Sequence, residues 1–119
     1  MEIRKYYLDI SRKEQKERLK ERAIDPLMAW KISPVDAQAL DKWEDYTKAR
    51  NQMFRRTSHK RVPWRIVDAD HKKSARLALI RDLLQSFSYP EKNKKLVESR
   101  ERIVFDWSPA VAKSGRLAQ

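Results

Sequence analysis

Cysteine is absent from the 119 residues, and glycine occurs once, as Gly115. Without cysteine there is no disulfide framework, no thiolate zinc site and no cysteine nucleophile. A phosphate-cradling loop needs several glycines so that backbone N–H groups can approach the phosphates. These residues therefore hold neither a P-loop nor a dinucleotide fingerprint. The two histidines, His59 and His71, are too few for a histidine-rich metal site, and we expect both to be exposed to solvent.

Long apolar runs are also missing. No run approaches the roughly 20 apolar residues that cross a bilayer. The N-terminal residues Met1–Lys5 lack the apolar core of a signal peptide. We therefore expect no membrane association and a cytoplasmic location.

Positive charge is abundant. The chain has 28 Lys and Arg against 17 Asp and Glu, a formal net charge of +11. Such an excess predicts a polyanionic partner. The candidates are a nucleic acid, an anionic membrane and a phosphate chain. The alternative is a solvated surface whose acidic counterpart lies on another subunit or on a missing segment.

Two strands and a long helix stand out in the hydrophobic pattern. Residues 3–10 are nearly continuously apolar, as in a strand covered on both faces, and residues 64–69 form a shorter second strand. Asp70 is placed to cap a helix over residues 71–87. Its predicted apolar face consists of Ala75, Leu79, Ile80, Leu83, Leu84 and Phe87.

The segment between the two strands carries helix start signals. Ser11 predicts the cap of a highly charged helix over residues 12–24, and Asp25-Pro26 begins a short helical turn. Ser33, Pro34 and Asp36 form a capping box for a further helix that ends near Thr57. The predicted order of strand, three helical pieces, strand and helix indicates a helix-rich α/β chain with a right-handed parallel crossover. Two strands make no independent sheet, so the chain resembles the second half of a domain.

The C-terminal quarter has little pattern. After Tyr89 the chain is polar and charged, apart from an apolar patch at residues 103–107 that could dock on the core. Residues from Ala110 onward are predicted to form a loose tail.

An ordered set of short motifs resembles the polyphosphate kinase 2 family, whose members move phosphate between polyphosphate and nucleotides. The set comprises Leu8-Asp9, Glu14-Gln15, Arg18, Arg22, Asp25-Pro26, Trp30-Lys31, Ser33-Pro34, Asp36, Trp43-Glu44-Asp45-Tyr46, Arg56-Thr57, Pro63-Trp64, Val67, Ala69-Asp70, Lys72 and Ala75-Arg76-Leu77. The match covers about residues 3–89. The resemblance implies that residues 1–89 are the C-terminal half of such a domain, with a lid at about 12–36, and that 90–119 are an irregular tail.

The resemblance also implies a P-loop kinase fold, of which this chain supplies the last two strands, the lid helices and the final helix. The family's P-loop, with its lysine, and its metal-binding aspartate precede the matched region, and neither motif occurs here. Mg²⁺ is implied for the intact enzyme, and we expect this chain alone to bind none. Whether the chain is itself an enzyme is left open, because the family is a phosphotransferase but the essential motifs are missing.

Arg18 and Arg22 lie one turn apart on the first helix, and Lys31 follows in the next segment. Guanidinium groups bind phosphate oxygens in a forked geometry, and the resemblance implies that these three residues form a phosphate-binding lid. The alternative is an ordinary exposed helix with internal Glu–Arg pairs. We expect no catalytic residue and no metal ligand, and we interpret Asp68 and Asp70 as structural.

Several functions follow from this reading. The first is a segment of a polyphosphate-dependent nucleotide kinase that supplies a basic lid and a sheet edge and is inactive alone. The second is a non-catalytic basic module that binds polyphosphate or nucleic acid, and the third is an inert remnant. Specific nucleic-acid binding is not expected from the second basic run, which comprises Lys48, Arg50, Arg55, Arg56, Lys60 and Arg61. The expected partners are polyphosphate, a nucleotide in the intact enzyme, and either further copies of the chain or a companion chain.

Overall fold

The computed structural model describes residues 1–98 and 102–119. Its sheet has three strands, β1 (Lys5–Asp9), β2 (Trp64–Asp68) and β3 (Val104–Asp106), in the order β1-β2-β3. β1 and β2 are parallel, as the crossover pattern predicts, whereas β2 and β3 are antiparallel. The fold is therefore α/β with a small mixed sheet, one strand larger than the sequence indicates.

Five helices surround this sheet in the described part of the chain. They are α1 (Arg12–Ile24), α2 (Pro34–Ala39), α3 (Trp43–Thr57), α4 (Lys72–Gln85) and α5 (Pro109–Lys113). A short 3₁₀ turn covers Ala29–Lys31. None of the described helices is long and apolar enough to cross a membrane.

The predicted starts of α1 and α2 are confirmed. The Ser11 side chain accepts a hydrogen bond from the Glu14 N–H group, and Ser33 forms the expected reciprocal capping box with Asp36. The single helix expected from Pro34 to Thr57 is instead broken between α2 and α3. At the break, the Arg12 side chain donates to the Leu40 carbonyl at 3.2 Å, a tertiary contact that the local pattern does not reveal.

The core lies on both faces of the sheet because successive strand residues point to opposite sides. Val67 packs with Ala75, Ala78 and Val104 on one face. Ile66 packs on the other face in a second cluster with Phe54, Phe105 and Leu117. Phe54 is fully buried and meets the Tyr7 ring edge-on at a centroid distance of 5.1 Å.

The prediction of which residues form the apolar face of α4 is partly wrong. Ala75 is buried and Leu79 packs against the sheet, but Ile80, Leu84 and Phe87 are exposed. Asp82 is buried in their place. Its carboxylate accepts hydrogen bonds from the Tyr6 hydroxyl at 2.6 Å and from the Arg65 guanidinium. This polar contact turns a different side of α4 toward the sheet.

The prediction of a loose tail from Ala110 onward is also wrong. α5 begins at a Ser108 cap, and Leu117 is 2% exposed in the core beside Phe54. The apolar patch expected to dock does so as β3. Local pattern is weak here because each element is short and is held by distant partners. Residues 99–101 of the predicted irregular tail lie outside the described residues.

Replacing Leu117 tests whether the C-terminal segment is part of the core. Leu117→Ala removes a fully packed side chain and should lower the free energy of unfolding by about 2–5 kcal/mol. Urea denaturation measures the change, with exposed Lys113→Ala as the control. An unchanged unfolding midpoint for Leu117→Ala would mean that the segment is loose.

Tyr6 offers a second test of the core contacts. Burial, followed by the hydrogen bond to Asp82, raises the pKa of Tyr6 from 10.0 to about 12. A raised pKa in the folded state gives stability that is present below pH 10 and is lost as the pH rises toward 12. Ultraviolet titration of phenolate should therefore show a late component that Tyr6→Phe removes. Loss of an ordinary component near pH 10 would contradict the contact.

Candidate functional site

An open cavity of 440 Å³ brings the predicted basic residues together. Arg18 and Arg22 reach it from α1, Lys31 from the 3₁₀ turn and Lys72 from the first residue of α4. The other lining residues are Glu21, Ile24, Asp25 and Met28. Two consecutive elements, α1 and the 3₁₀ turn, and the distant helix α4 thus place four cations around one space.

Arg18 is held by the protein itself. Its Nε atom donates to Glu14 Oε1 at 2.7 Å, and its Nη2 atom donates to the carbonyls of Ala69 at 2.6 Å and Asp70 at 3.2 Å. Only 16% of the side chain is exposed. These bonds fix α1 on the loop between β2 and α4, which gives Arg18 a positioning role at the cavity wall.

Asp70 contributes to the same attachment. Its Oδ1 atom accepts a hydrogen bond from the Ser11 N–H group at 2.7 Å. The prediction that Asp70 caps α4 is wrong, since His71 is the cap and its ring accepts from the Ser74 N–H group. α4 begins one residue later than expected. The Asp70 carboxylate therefore binds the Ser11 N–H group at the start of α1 instead of capping α4. We call Ser11, Arg18, Ala69 and Asp70 the α1 anchor.

Arg22 and Lys31 have weaker partners than Arg18. The Arg22 Nη1 atom lies 3.6 Å from Asp36 Oδ2, an oxygen that already accepts from the Ser33 N–H group. The Lys31 ammonium lies 5.2 Å from the centroid of the Trp30 ring. Trp30 is 78% exposed, so it belongs to the surface beside the cavity and not to the core. Both contacts are weaker than the hydrogen bonds that hold Arg18.

Lys72 matches the family pattern in the sequence but was not predicted to bind phosphate. It is exposed, it lines the cavity, and it begins α4 directly after the His71 cap. The signals in the sequence are its match to the family pattern and its position just after the second strand. Its proximity to Arg22 and Lys31 depends on the α1 anchor, which no local pattern shows.

A buried ion pair lies at the carboxyl end of β1. Arg50 Nη1 is 3.1 Å from Asp9 Oδ1, and the Ala118 N–H group donates to Asp9 Oδ2 at 2.8 Å. Burial raises the pKa of Asp9, although the Ala118 N–H group and Arg50 oppose this effect. Arg50 therefore belongs to the interior, and the second basic run is interrupted at this residue.

Magnesium is the metal that the sequence resemblance implies, and it requires several oxygen ligands. In residues 1–98 and 102–119, no three Asp, Glu, His or Cys side chains form a group that could hold a metal ion. The described residues therefore do not fit a magnesium site. No step through a metal is therefore assigned to this chain.

Comparison with known proteins identifies the family. The family model described as polyphosphate kinase 2 matches residues 1–95, most of the chain. The chain belongs to the polyphosphate kinase 2 family. This finding confirms the resemblance carried by the ordered motifs between residues 3 and 89.

The relatives are longer proteins of which this chain matches one part. It is similar to a GDP-polyphosphate phosphotransferase of Pseudomonas aeruginosa, at 42% identity over 84% of this chain and 28% of that protein. It is 45% identical to an ADP-polyphosphate phosphotransferase 3 of Rhizobium meliloti, over 71% of this chain and 30% of that protein. The crystal structure of polyphosphate kinase 2 from Arthrobacter aurescens matches 94% of this chain and 37% of its own, with 31% identity and a TM-score of 0.67. The chain thus spans about a third of the length of its relatives.

Replacement of Arg18 tests the α1 anchor. Arg18→Ala leaves the carbonyls of Ala69 and Asp70 without this donor and should lower the free energy of unfolding by about 1–3 kcal/mol. Lys20→Ala, on the exposed side of the same helix, should change it by less than about 0.5 kcal/mol. Chemical denaturation compares the two variants. Equal small effects would show that Arg18 does not hold α1.

Proposed function

We propose that this chain supplies the phosphate-binding lid and one sheet edge of a polyphosphate-dependent nucleotide kinase. In this proposal, phosphate is transferred between polyphosphate and a nucleotide, and the chain is inactive alone. The supporting observation is the convergence of Arg18, Arg22, Lys31 and Lys72 on one open cavity. The names of the relatives, which are polyphosphate phosphotransferases, support the choice of substrate.

The cavity chemistry suits a chain of phosphates. Guanidinium and ammonium groups form charge-assisted hydrogen bonds to phosphate oxygens, about twice as strong as neutral ones. Arg22 and Lys31 have exchangeable partners, whereas Arg18 keeps α1 in place so that Arg22 faces the cavity. During transfer, fixed positive charge would offset the negative charge on the phosphoryl oxygens.

The parallel β1–β2 pair and its helical crossover support a P-loop kinase-like arrangement. In this proposal, the phosphate cradle and the magnesium-binding aspartate come from outside these 119 residues. The chain's own contribution is to bind and orient phosphates at Arg22, Lys31 and Lys72. Positioning together with electrostatic stabilisation accounts for almost all of the catalysis in phosphoryl transfer.

The net charge of +11 also favours a second function, a non-catalytic basic module that binds polyphosphate or nucleic acid. Lys48, Arg55, Arg56, Lys60 and Arg61 are exposed and could bind any polyanion. Binding of this kind is unspecific and falls steeply with added salt. A lid site differs because it depends on particular cations and distinguishes polyphosphate from nucleic acid.

Paired charge removals distinguish the two functions. Arg22→Ala with Lys31→Ala should weaken polyphosphate binding at least about tenfold, equivalent to about 1.4 kcal/mol, because it removes two cavity cations. The control, Lys16→Ala with Lys20→Ala, removes the same charge from a separate surface depression beside Leu40 and Asp41. It should weaken binding by less than about threefold, as for exposed charges. Isothermal titration at moderate salt measures both. Equal losses would favour the unspecific module.

Inactivity of the chain alone is tested by a direct assay. The purified chain, supplied with magnesium, polyphosphate and either AMP or ADP, should form no phosphorylated nucleotide. The reason is that the sequence holds no P-loop and the described residues do not fit a magnesium site. Activity that survives repurification and is lost in the Arg22→Ala, Lys31→Ala double variant would contradict this part of the proposal.

A further inference from the structure

A second cavity, of 340 Å³, lies where β1 ends. Its walls come from α1, α2, α3 and the last residues of β1, and most of its lining is apolar. Val35 and Ala39 line it from α2, and Trp43 and Tyr46 line it from α3. We call this cavity the α2–α3 pocket. Small-molecule sites have this volume and this mainly apolar and aromatic lining, with a few polar groups that orient the ligand.

The two aromatic side chains on α3 are available for stacking. Trp43 and Tyr46 are three positions apart, so they project from the same side of the helix. Within residues 1–98 and 102–119, neither ring contacts another aromatic ring or a cation. The Trp43 indole N–H group donates to the backbone oxygen of Gln119 at 2.6 Å. A bond from this group acts in the plane of the ring, so it does not occupy the faces on which a planar ligand stacks.

The Gln15 amide is the polar group that calls for a ligand. Gln15 lines the pocket from α1, and its Oε1 atom is buried without a hydrogen bond from any described residue. A buried acceptor that is left unpaired is costly, and nearly all such atoms in native proteins have a partner. An N–H group of a ligand in the pocket would supply that partner.

The pocket is electrically neutral. Among the described residues, the charged side chains that line it are Asp9 and Arg50, which form an ion pair at 3.1 Å. The other Asp9 oxygen accepts from the Ala118 N–H group, and the Arg50 Nε and Nη2 atoms donate to Asn51 Oδ1. These charges are thus already paired. The pocket therefore suits a neutral ligand, whereas the cavity around Arg22 suits phosphates.

We infer that the α2–α3 pocket binds an adenine base, which stacks on Trp43 and Tyr46 and donates its exocyclic amino group to Gln15 Oε1. A glutamine amide matches this base because its oxygen accepts from the amino group while its NH₂ group donates to the adjacent ring nitrogen. Every base has faces that stack on aromatic side chains. This inference goes beyond the proposed function, since it concerns a base and requires neither Arg22 nor Lys31.

The C-terminal residues help to form this site. Gln119 holds the Trp43 ring, and Ala118 holds the Asp9 carboxylate beneath it. The family model matches residues 1–95, so both contacts come from outside the matched region. The family match alone therefore does not assign this pocket.

NMR titration with adenosine tests the site. Adenosine carries no phosphate, so its binding does not need the cation-lined cavity. The chain has four Trp residues, whose indole N–H groups give separate signals. The Trp43 signal should shift in a saturable manner, because a stacked base changes the magnetic environment of the ring. The Trp30 signal should stay in place, since Trp30 is 78% exposed and lies outside the pocket.

A modified ligand tests the Gln15 contact without a substitution. Purine riboside lacks the amino group and should bind the chain about tenfold more weakly than adenosine, because it leaves Gln15 Oε1 unpaired. In Gln15→Leu the two ligands should bind equally. The control, Gln38→Leu, replaces an exposed glutamine of α2 outside the pocket and should keep the preference for adenosine.

A pair of tyrosine substitutions tests the stacking contact. Tyr46→Ala should weaken adenosine binding about tenfold, because it removes one stacking surface. Tyr89→Ala makes the same change outside the pocket and should leave binding unchanged. Tyr46 is 57% exposed, so thermal melting of Tyr46→Ala should match that of the original chain.

Four outcomes would overturn the base site. They are no saturable shift at Trp43, equal binding of adenosine and purine riboside to the original chain, equal effects of Tyr46→Ala and Tyr89→Ala, and loss of adenosine binding in the Arg22→Ala, Lys31→Ala double variant. Polyphosphate binding is measured in parallel. Adenosine binding as expected without polyphosphate binding would reject the proposed function alone, whereas polyphosphate binding that depends on Arg22 and Lys31 without adenosine binding would reject the base site alone.

Discussion

The attachment of α1 to the loop after β2 determines the site. None of the residues of α1 is buried, so apolar packing contributes little to the position of this helix. Hydrogen bonds take its place, from Arg18 to the carbonyls of Ala69 and Asp70 and from the Ser11 N–H group to Asp70. With α1 fixed at its first two turns, Arg22 lies one turn further along and faces the cavity that Lys31 and Lys72 also line. The structure thus uses one arginine for positioning so that other cations remain available for a ligand.

The two sides of the sheet differ in how they are covered. β3 closes the side of β2, and the C-terminal residues join the core through Leu117 and through the bond from Ala118 to Asp9. The β1 side has no such cover among the described residues. The chain belongs to the polyphosphate kinase 2 family and matches about a third of the length of each relative. The basic cavity and the open edge therefore lie in a chain that spans about a third of the length of its relatives.

The sequence predicted features that depend on neighbouring residues and missed those that depend on distant ones. The Ser11 cap and the Ser33–Asp36 box are local, and both were predicted correctly. Asp9 bonds across 109 positions to Ala118, and Arg18 bonds across 51 positions to Ala69, which local patterns cannot reveal. Because such distant contacts are invisible in the local pattern, residues from Ala110 onward were wrongly predicted to form a loose tail. At the site, the resemblance predicted Arg18, Arg22 and Lys31 as phosphate-binding residues. The place of Lys72 at the cavity and the positioning role of Arg18 required three-dimensional contacts.

The central claim is that the cavity cations form a specific phosphate site on an otherwise basic surface. Side-chain NMR of the arginine and lysine residues, recorded while tripolyphosphate is added, tests this claim most directly. The account predicts saturable shifts at Arg22, Lys31 and Lys72, with little change at the exposed Arg55 and Arg56. Shifts spread evenly over the basic surface, or strongest at Arg55 and Arg56, would contradict it.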